Sequence, residues 1–196
     1  MLETVQIENA GIVRDTGPDI ALSDTIELCL KGDIRAQERL YRAFFPKMMA
    51  LVKRYTGDPG EATEIVNNGF LRVFKKLSAY GHLGSFEGWV KKIVVNATAD
   101  YFRYKKDTPE KFMAHLPEPR SNELHDKDNY KYLLSLLYQL PHTTRLVINL
   151  FIIDGYTYTE IAAITNISES TCRWHISHGR KILQQIIEKT RKQNNE

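Results

Sequence analysis

Between Ile164 and Leu183 the sequence reads ITNISESTCRWHISHGRKIL. Cys172, His175 and His178 recur there every third residue, and all three are side-chain types that ligate metals. Ligation requires them to converge. At 100° per residue on a helix, Cys172 falls with Ile176, Gly179, Leu183, Ile186 and Ile187, while His178 falls on the other side. No fourth ligand follows at motif spacing, so the pattern does not make a metal centre. The side opposite the apolar stripe carries Ser170, Trp174, Ser177, His178 and Lys181, flanked by Arg173 and Arg180. A tryptophan among hydroxyls and cations is costly to leave in water. It is accounted for if the first half of the helix enters a DNA major groove, where donors meet base edges and phosphates and a ring meets a thymine methyl. The alternative is a surface helix with one stray aromatic.

A second group lies near the middle of the chain. Lys92, Asn96 and Arg103 share the helix face opposite an apolar stripe, with Ala99 between them. They follow a loop, AYGHLG, that holds Tyr80, His82 and two glycines and ends at Ser85. An amide flanked by cations suits one unstacked base and its phosphates: the amide bonds the base edge and the cations take the backbone. Most of the aromatics here, among them Phe86, Trp89 and Tyr101, recur at helical spacing and read as core. Nothing assembles a catalytic site. There is no paired-carboxylate metal cluster, no glycine-rich phosphate loop and no nucleophile beside a base. Asp100 is isolated and reads as a structural hydrogen-bond acceptor.

The elements that position these groups are helices, since apolar spacing is helical nearly throughout. Ser23 predicts the cap of a first helix ending near Lys31–Gly32, and Asp33 the cap of a longer one to about Tyr55. In TGDPGEA, Asp58 caps, Pro59 fits the first helical position and Glu61 stands where a capping box wants an acid. That helix runs to about Leu77 and buries Ala62, Ile65, Val66, Phe70 and Val73. Ser85 opens the next, to about Tyr104. Further on, a helix covers about Lys127 to Gln139, and another starts at Pro141 and ends at Asp154–Gly155. Thr157, with Glu160 as its box partner, caps a short helix. A tight turn from Thr165 to Ser168 leads to the last one. Helix, short turn and helix make a helix-turn-helix.

The fold class read from this is all-α: two small helical domains joined by a flexible linker, the C-terminal one with the helix-turn-helix. The expected divisions are an N-terminal extension (1–22), a first domain (23–105), a linker (106–126) and a second domain (127–196). The linker is acidic, holds Pro109, Pro117 and Pro119, and has no apolar period. The net charge of +3 decides little. Its distribution, two basic segments around an acidic connector, suits a polyanion touched at two places. No run approaches the roughly 20 apolar residues of a membrane span, and the N-terminus lacks a signal-peptide pattern. The expected location is the cytoplasm, where a disulfide between Cys29 and Cys172 is disfavoured.

Taken together, GDPGEATEIVNNGFLRVFKKL, SFEGWVKKIVVNATADYFR and LLYQLPHTTRLVINLFIIDGYTYTEIAAITNISESTCRWHISHGRKIL resemble an extracytoplasmic-function (ECF) sigma factor of bacterial RNA polymerase. The likeness runs from about Asp24 to Ile187. Its most specific parts are Trp89, Ile93, Asn96 and Asp100 at their mutual spacing, with Leu140–Pro141 and Glu160–Ala162. The resemblance implies a non-enzymatic initiation factor without cofactor, small-molecule substrate or membrane contact. Its partners would be core RNA polymerase, promoter DNA and an anti-sigma factor. Glu64, Ile65, Asn67 and Asn68 would bind the polymerase. Tyr80, His82, Ser85, Lys92, Asn96 and Arg103 would take the minus-ten element. Ser170, Thr171, Arg173, Trp174, His175 and His178 would read the minus-thirty-five element. The chain departs from the family at Asn67 and Asn68, less acidic than usual, at Val95, where arginine is typical, and at His175, where arginine is common. A stand-alone helix-turn-helix regulator is the rival reading, set apart by tight binding to duplex DNA without polymerase.

Overall fold

The structure is a computed structural model that describes residues 21–105 and 126–193. The expected N-terminal extension and linker therefore fall almost wholly outside the described residues. Eight α-helices form among them: α1 (Leu22–Leu30), α2 (Ile34–Lys53), α3 (Pro59–Lys76), α4 (Phe86–Tyr104), α5 (Asp126–Tyr138), α6 (His142–Ile148), α7 (Tyr158–Thr165) and α8 (Glu169–Gln193). None of the described helices is long and apolar enough to cross a membrane.

The starts of these helices follow local side-chain chemistry. Asp33, Asp58 and Ser85 each accept a backbone N–H three residues on, at 2.8, 2.8 and 3.1 Å, satisfying donors the first turn leaves open. Thr157 and Glu160 form the reciprocal capping box. Two expectations are corrected. Helix α1 starts two residues earlier than Ser23 allows: Ala21 is its N-cap, without a side-chain bond, and Ser23 instead donates to Asp24 at 3.2 Å. Glu61 does not close a box with Asp58. Its carboxylate accepts the Thr56 hydroxyl at 2.6 Å through one oxygen and pairs with Lys105 through the other, so both oxygens are already engaged.

Each domain is drawn tight at a glycine. In the N-terminal one, α1 to α4 pack around Leu40, Val52, Ile65, Phe70, Val73, Val90 and Val94. At the α3–α4 crossing, a Cβ on Gly69 would lie 2.8 Å from Val94 Cγ2. In the C-terminal one, α6 packs on α8 around Leu146, Ile148, Leu150, Ile161, Cys172 and Ile176. A Cβ on Gly179 would lie 2.2 Å from Ile148 Cδ1 and 2.7 Å from Thr144 Cγ2.

Sequence spacing alone predicts one helix from Pro141 to Asp154. In the structure α6 gives way to a π-turn over Asn149–Ile153, closed by the Asp154 N–H on Asn149 O at 2.9 Å. The wider turn adds a residue to the helix and re-aims the chain beyond Ile153. The two domains also touch: α4 packs against α6 and α7, and a groove of about 280 Å³ between them is lined by Ala99, Phe102, Leu146 and Ile167.

Candidate nucleic-acid interface

Helix α7 ends at Asn166, whose left-handed backbone (φ +60°) suits asparagine better than most residues. Ser168 then caps α8, accepting the Thr171 N–H at 3.1 Å. Its hydroxyl also meets those of Ser170 (2.7 Å) and Thr171 (2.8 Å), so three exposed hydroxyls cluster at the helix N-terminus. Buried Cys172, Ile176 and Gly179 hold the other face against the domain core. With that stripe inward, Trp174 is left 56 % exposed.

The tryptophan is not loose. Its ring stacks on His178 one turn later, with centroids 4.6 Å apart and planes 15° off parallel. Arg173 lies over the Tyr158 ring at 5.0 Å and reaches Glu169 at 3.3 Å. The Arg173–Glu169 pair is exposed, so it costs little to exchange for a phosphate. His175 is placed differently from the other predicted minus-thirty-five residues. Its Nδ1 lies 2.9 Å from the Thr144 hydroxyl on α6, so that ring edge faces the domain. Ser170, Thr171, Arg173, Trp174 and His178 share the outer face.

In the N-terminal domain the predicted loop residues come together around one aromatic cluster. Tyr80 lies 4.7 Å from His82, 5.0 Å from Phe86 and 5.3 Å from Trp89 between centroids. Its hydroxyl donates to Gly84 O at 3.1 Å and closes the loop on itself. His82 sits at φ +56° and Gly84 at φ +88°. Only the glycine takes such a φ without cost, so His82 stores local strain at the loop tip. Beside it Leu83 is almost fully exposed.

The α4 residues are more committed. Asn96 donates to Lys92 O at 2.7 Å, back along its own helix. Arg103 pairs with Asp100 at 2.9 Å and donates to Ile164 O of α7 at 2.9 Å. Lys92 is exposed. Asp100 is the structural acceptor its sequence context suggests, since it also takes Arg72 of α3.

The four residues predicted to meet polymerase divide. Glu64 and Asn68 border a groove of about 440 Å³ between α3 and α4. Asn67 accepts the Tyr41 hydroxyl at 2.8 Å, and Asn68 accepts Arg72 Nε at 2.9 Å. Ile65 is buried and works by packing rather than by offering surface. Sequence reasoning passed over Leu71, exposed on α3 one turn after Asn67 and Asn68, and Tyr104, exposed at the end of α4. The available signal was that Leu71 falls out of phase with the α3 apolar stripe.

Comparison with known proteins matches this geometry to named regions. The family described as Sigma-70 region 2 matches residues 40–108, and that described as Sigma-70, region 4 matches residues 130–183. The chain is 28 % identical over 159 residues to the ECF RNA polymerase sigma factor SigE of Mycolicibacterium smegmatis, covering 78 % of this chain. It spans 62 % of that relative's length. It is 24 % identical over 177 residues to the ECF RNA polymerase sigma-E factor of Escherichia coli, covering 83 % of this chain and 92 % of that one. Among solved structures, the sigma factor RpoE in complex with the anti-sigma factor NepR from Bartonella quintana shares the fold. The TM-score is 0.51 at 18 % identity, over 79 % of this chain and 98 % of that one.

Proposed function

Because the chain belongs to the sigma-70 family, in its extracytoplasmic-function group, we propose that it binds core RNA polymerase and directs initiation at its own set of promoters. The N-terminal domain melts the minus-ten element and holds a flipped base between the Tyr80–Ser85 loop and Asn96. The C-terminal domain reads the minus-thirty-five element as duplex through α8. The observation that carries this reading is the outer face of α8, where an exposed tryptophan is stacked and flanked by hydroxyls and an arginine on an otherwise well-packed helix.

The chemistry divides accordingly. Thymine methyls suit the Trp174 edge, base edges and phosphates suit Arg173 and the hydroxyls, and each good base contact contributes about 1–3 kcal/mol of discrimination. A flipped base suits an amide beside rings and cations. Glu64, Asn67, Asn68 and the neighbouring Leu71 form the surface offered to the polymerase. The two DNA contacts share one tether, so the second is made at raised effective concentration and neither need be tight alone. An anti-sigma factor is the regulator this reading implies, and the cytoplasm its place of action. Catalysis belongs to the polymerase.

The test is a pull-down of the purified chain with core polymerase, followed by run-off transcription from its own upstream region. Binding with specific initiation is expected. Arg173→Ala should lower minus-thirty-five-dependent transcription and Asn96→Ala should impair open-complex formation, both with polymerase binding unchanged. Equal loss of polymerase binding in both variants would overturn the division of labour. Tight duplex binding with no association to core would move the assignment to a free-standing regulator.

A further inference from the structure

An arginine meets DNA in one of two ways. Left free to swing, it neutralises a phosphate and carries no sequence information. Held with its fork in the groove, it donates two parallel bonds to the O6 and N7 of a guanine and selects that base. What surrounds Arg173 decides between the two.

Arg173 is exposed on α8, yet the first turn of α7 holds it. Its guanidinium carbon lies 5.0 Å over the Tyr158 ring. Tyr158 is in turn stacked on Phe151 of the π-turn, with centroids 4.6 Å apart and planes 17° off parallel. Both rings are half-buried. The backbone under Tyr158 is fixed as well, because the residue follows Thr157, whose capping box with Glu160 sets the start of α7. The ring beneath the arginine therefore has a defined place.

A second contact holds the edge of the guanidinium. One Arg173 N–H donates to a Glu169 carboxylate oxygen at 3.3 Å, and the other oxygen of that carboxylate accepts the Thr159 hydroxyl at 2.7 Å. The two contacts behave differently when DNA arrives. The Glu169 pair occupies an N–H donor and is weak enough to be exchanged. The ring attracts the cation through its π-face and occupies no donor, so it persists while the fork bonds a base. An arginine oriented in advance also loses less side-chain freedom on binding.

We infer that Tyr158, backed by Phe151, is a positioning residue that holds Arg173 with its fork turned to one base of the minus-thirty-five element. It acts through its ring and not through its hydroxyl. The inference deepens the proposed reading by α8 and rests on the initiation reading for the name of the element. The hold on Arg173 does not depend on polymerase.

The experiment offers the full chain a pool of duplexes from its own upstream region with the minus-thirty-five window randomised. The chain is used alone at low salt and again with core polymerase, and bound duplexes are sequenced. Wild type is compared with Arg173→Ala, Tyr158→Leu, Tyr158→Phe and Phe151→Leu, each checked for helical circular dichroism. Arg173→Ala should flatten the preference at one position. Tyr158→Leu should lower preference at that same position about three- to tenfold and leave the others within about twofold. Tyr158→Phe, which keeps the ring, should match wild type. Phe151→Leu should act in the same direction as Tyr158→Leu but less, and it decides the matter alone if Tyr158→Leu does not fold.

Equal loss in Tyr158→Phe and Tyr158→Leu would overturn the inference, since the hydroxyl would then be meeting DNA directly. Loss spread over every position would overturn it too, as would a pool in which no position depends on Arg173. Ring-dependent selection by the chain alone, with no association to core polymerase, would overturn the initiation reading and leave the positioning role standing.

Discussion

On α8, the side chains facing outward bond chiefly to one another: Ser168 with Ser170 and Thr171, Trp174 with His178, Arg173 with Glu169. On α4 and its loop they bond to backbone or to the other domain: Tyr80 to Gly84 O, Asn96 to Lys92 O, Arg103 to Ile164 O. The first face is ready to trade exposed, inexpensive contacts for a groove. The second has to give up specific hydrogen bonds first. A duplex is a rigid partner that a preformed face can meet, whereas a flipped base exists only once the duplex has opened, so the site for it gains by forming late.

The two domains also differ in how tightly they are drawn, and glycine substitutions probe that difference most directly. Gly179→Ala should cost the C-terminal domain about 2 kcal/mol, because the new methyl meets Ile148 and the stiff Thr144 side chain together. For a domain this size that corresponds to a fall in Tm of roughly 10 °C, read by thermal unfolding monitored at Trp174. Gly69→Ala should cost about 1 kcal/mol. It meets only Val94, whereas Gly179 meets two side chains; the roughly 1 kcal/mol of helix propensity gained is common to both sites. Equal losses would mean that the α3–α4 crossing is as unyielding as the α6–α8 crossing.

Much of this was legible because it is local. Asp33, Asp58, Ser85 and Thr157 announce helix starts through side chains that reach only three residues ahead. The two faces of α8 follow from the period alone, and buried Cys172 against exposed Trp174 is what a 100° step predicts. The features that sequence reasoning missed depend on partners distant in the chain. Glu61 has the spacing of a capping-box acid but is taken by Lys105, 44 residues away. The π-turn leaves no composition signal, since Asn149–Ile153 has the apolar period of an ordinary helix. Val95 and Phe102 fall outside the apolar stripe of α4 that packs on α3, and only the neighbouring C-terminal domain accounts for their burial. Asp154 next to Gly155 reads as a helix stop. Nothing in its neighbours names Arg54 or Lys91, which pair with it at 2.6 and 3.0 Å.

Acid separates the domains by a smaller margin. Burial pushes the Glu61 carboxyl up, but hydrogen bonds from Lys105 and Thr56 outweigh it and hold the group below the ordinary glutamate value of 4.5. A carboxylate held below its unfolded pKa stabilises the fold above that pKa, and the contribution disappears as pH falls through the depressed value. Glu61→Gln should therefore lower N-terminal domain stability by about 1 kcal/mol at neutral pH and flatten its decline below pH 4.5. In the C-terminal domain, Glu160 is also held low, first by the Thr157 backbone N–H and then by its hydroxyl, but it stands in solvent. Glu160→Gln keeps an acceptor for both donors, so its acid limb should stay close to wild type. Melting curves at several pH values, followed by a probe in each domain, compare the two.

The smallest stability effect is expected at Arg173, a residue proposed to read DNA. Arg173 touches Glu169 at 3.3 Å across an exposed pair and rests over Tyr158. Exposed pairs of this kind contribute about 0–1 kcal/mol, and alanine restores part of that through helix propensity. Arg173→Ala should therefore move the C-terminal melting temperature by no more than about 2 °C, while specific duplex recognition weakens by about 1–3 kcal/mol. The two numbers have to be measured on one preparation. A melting shift as large as that of Gly179→Ala would place Arg173 in the fold rather than on its reading face, and any loss of transcription would then report unfolding. A small shift with a large loss would leave α8 as a face presented ahead of its ligand, in contrast to α4, whose Arg103 is already engaged by Asp100 and by Ile164 O.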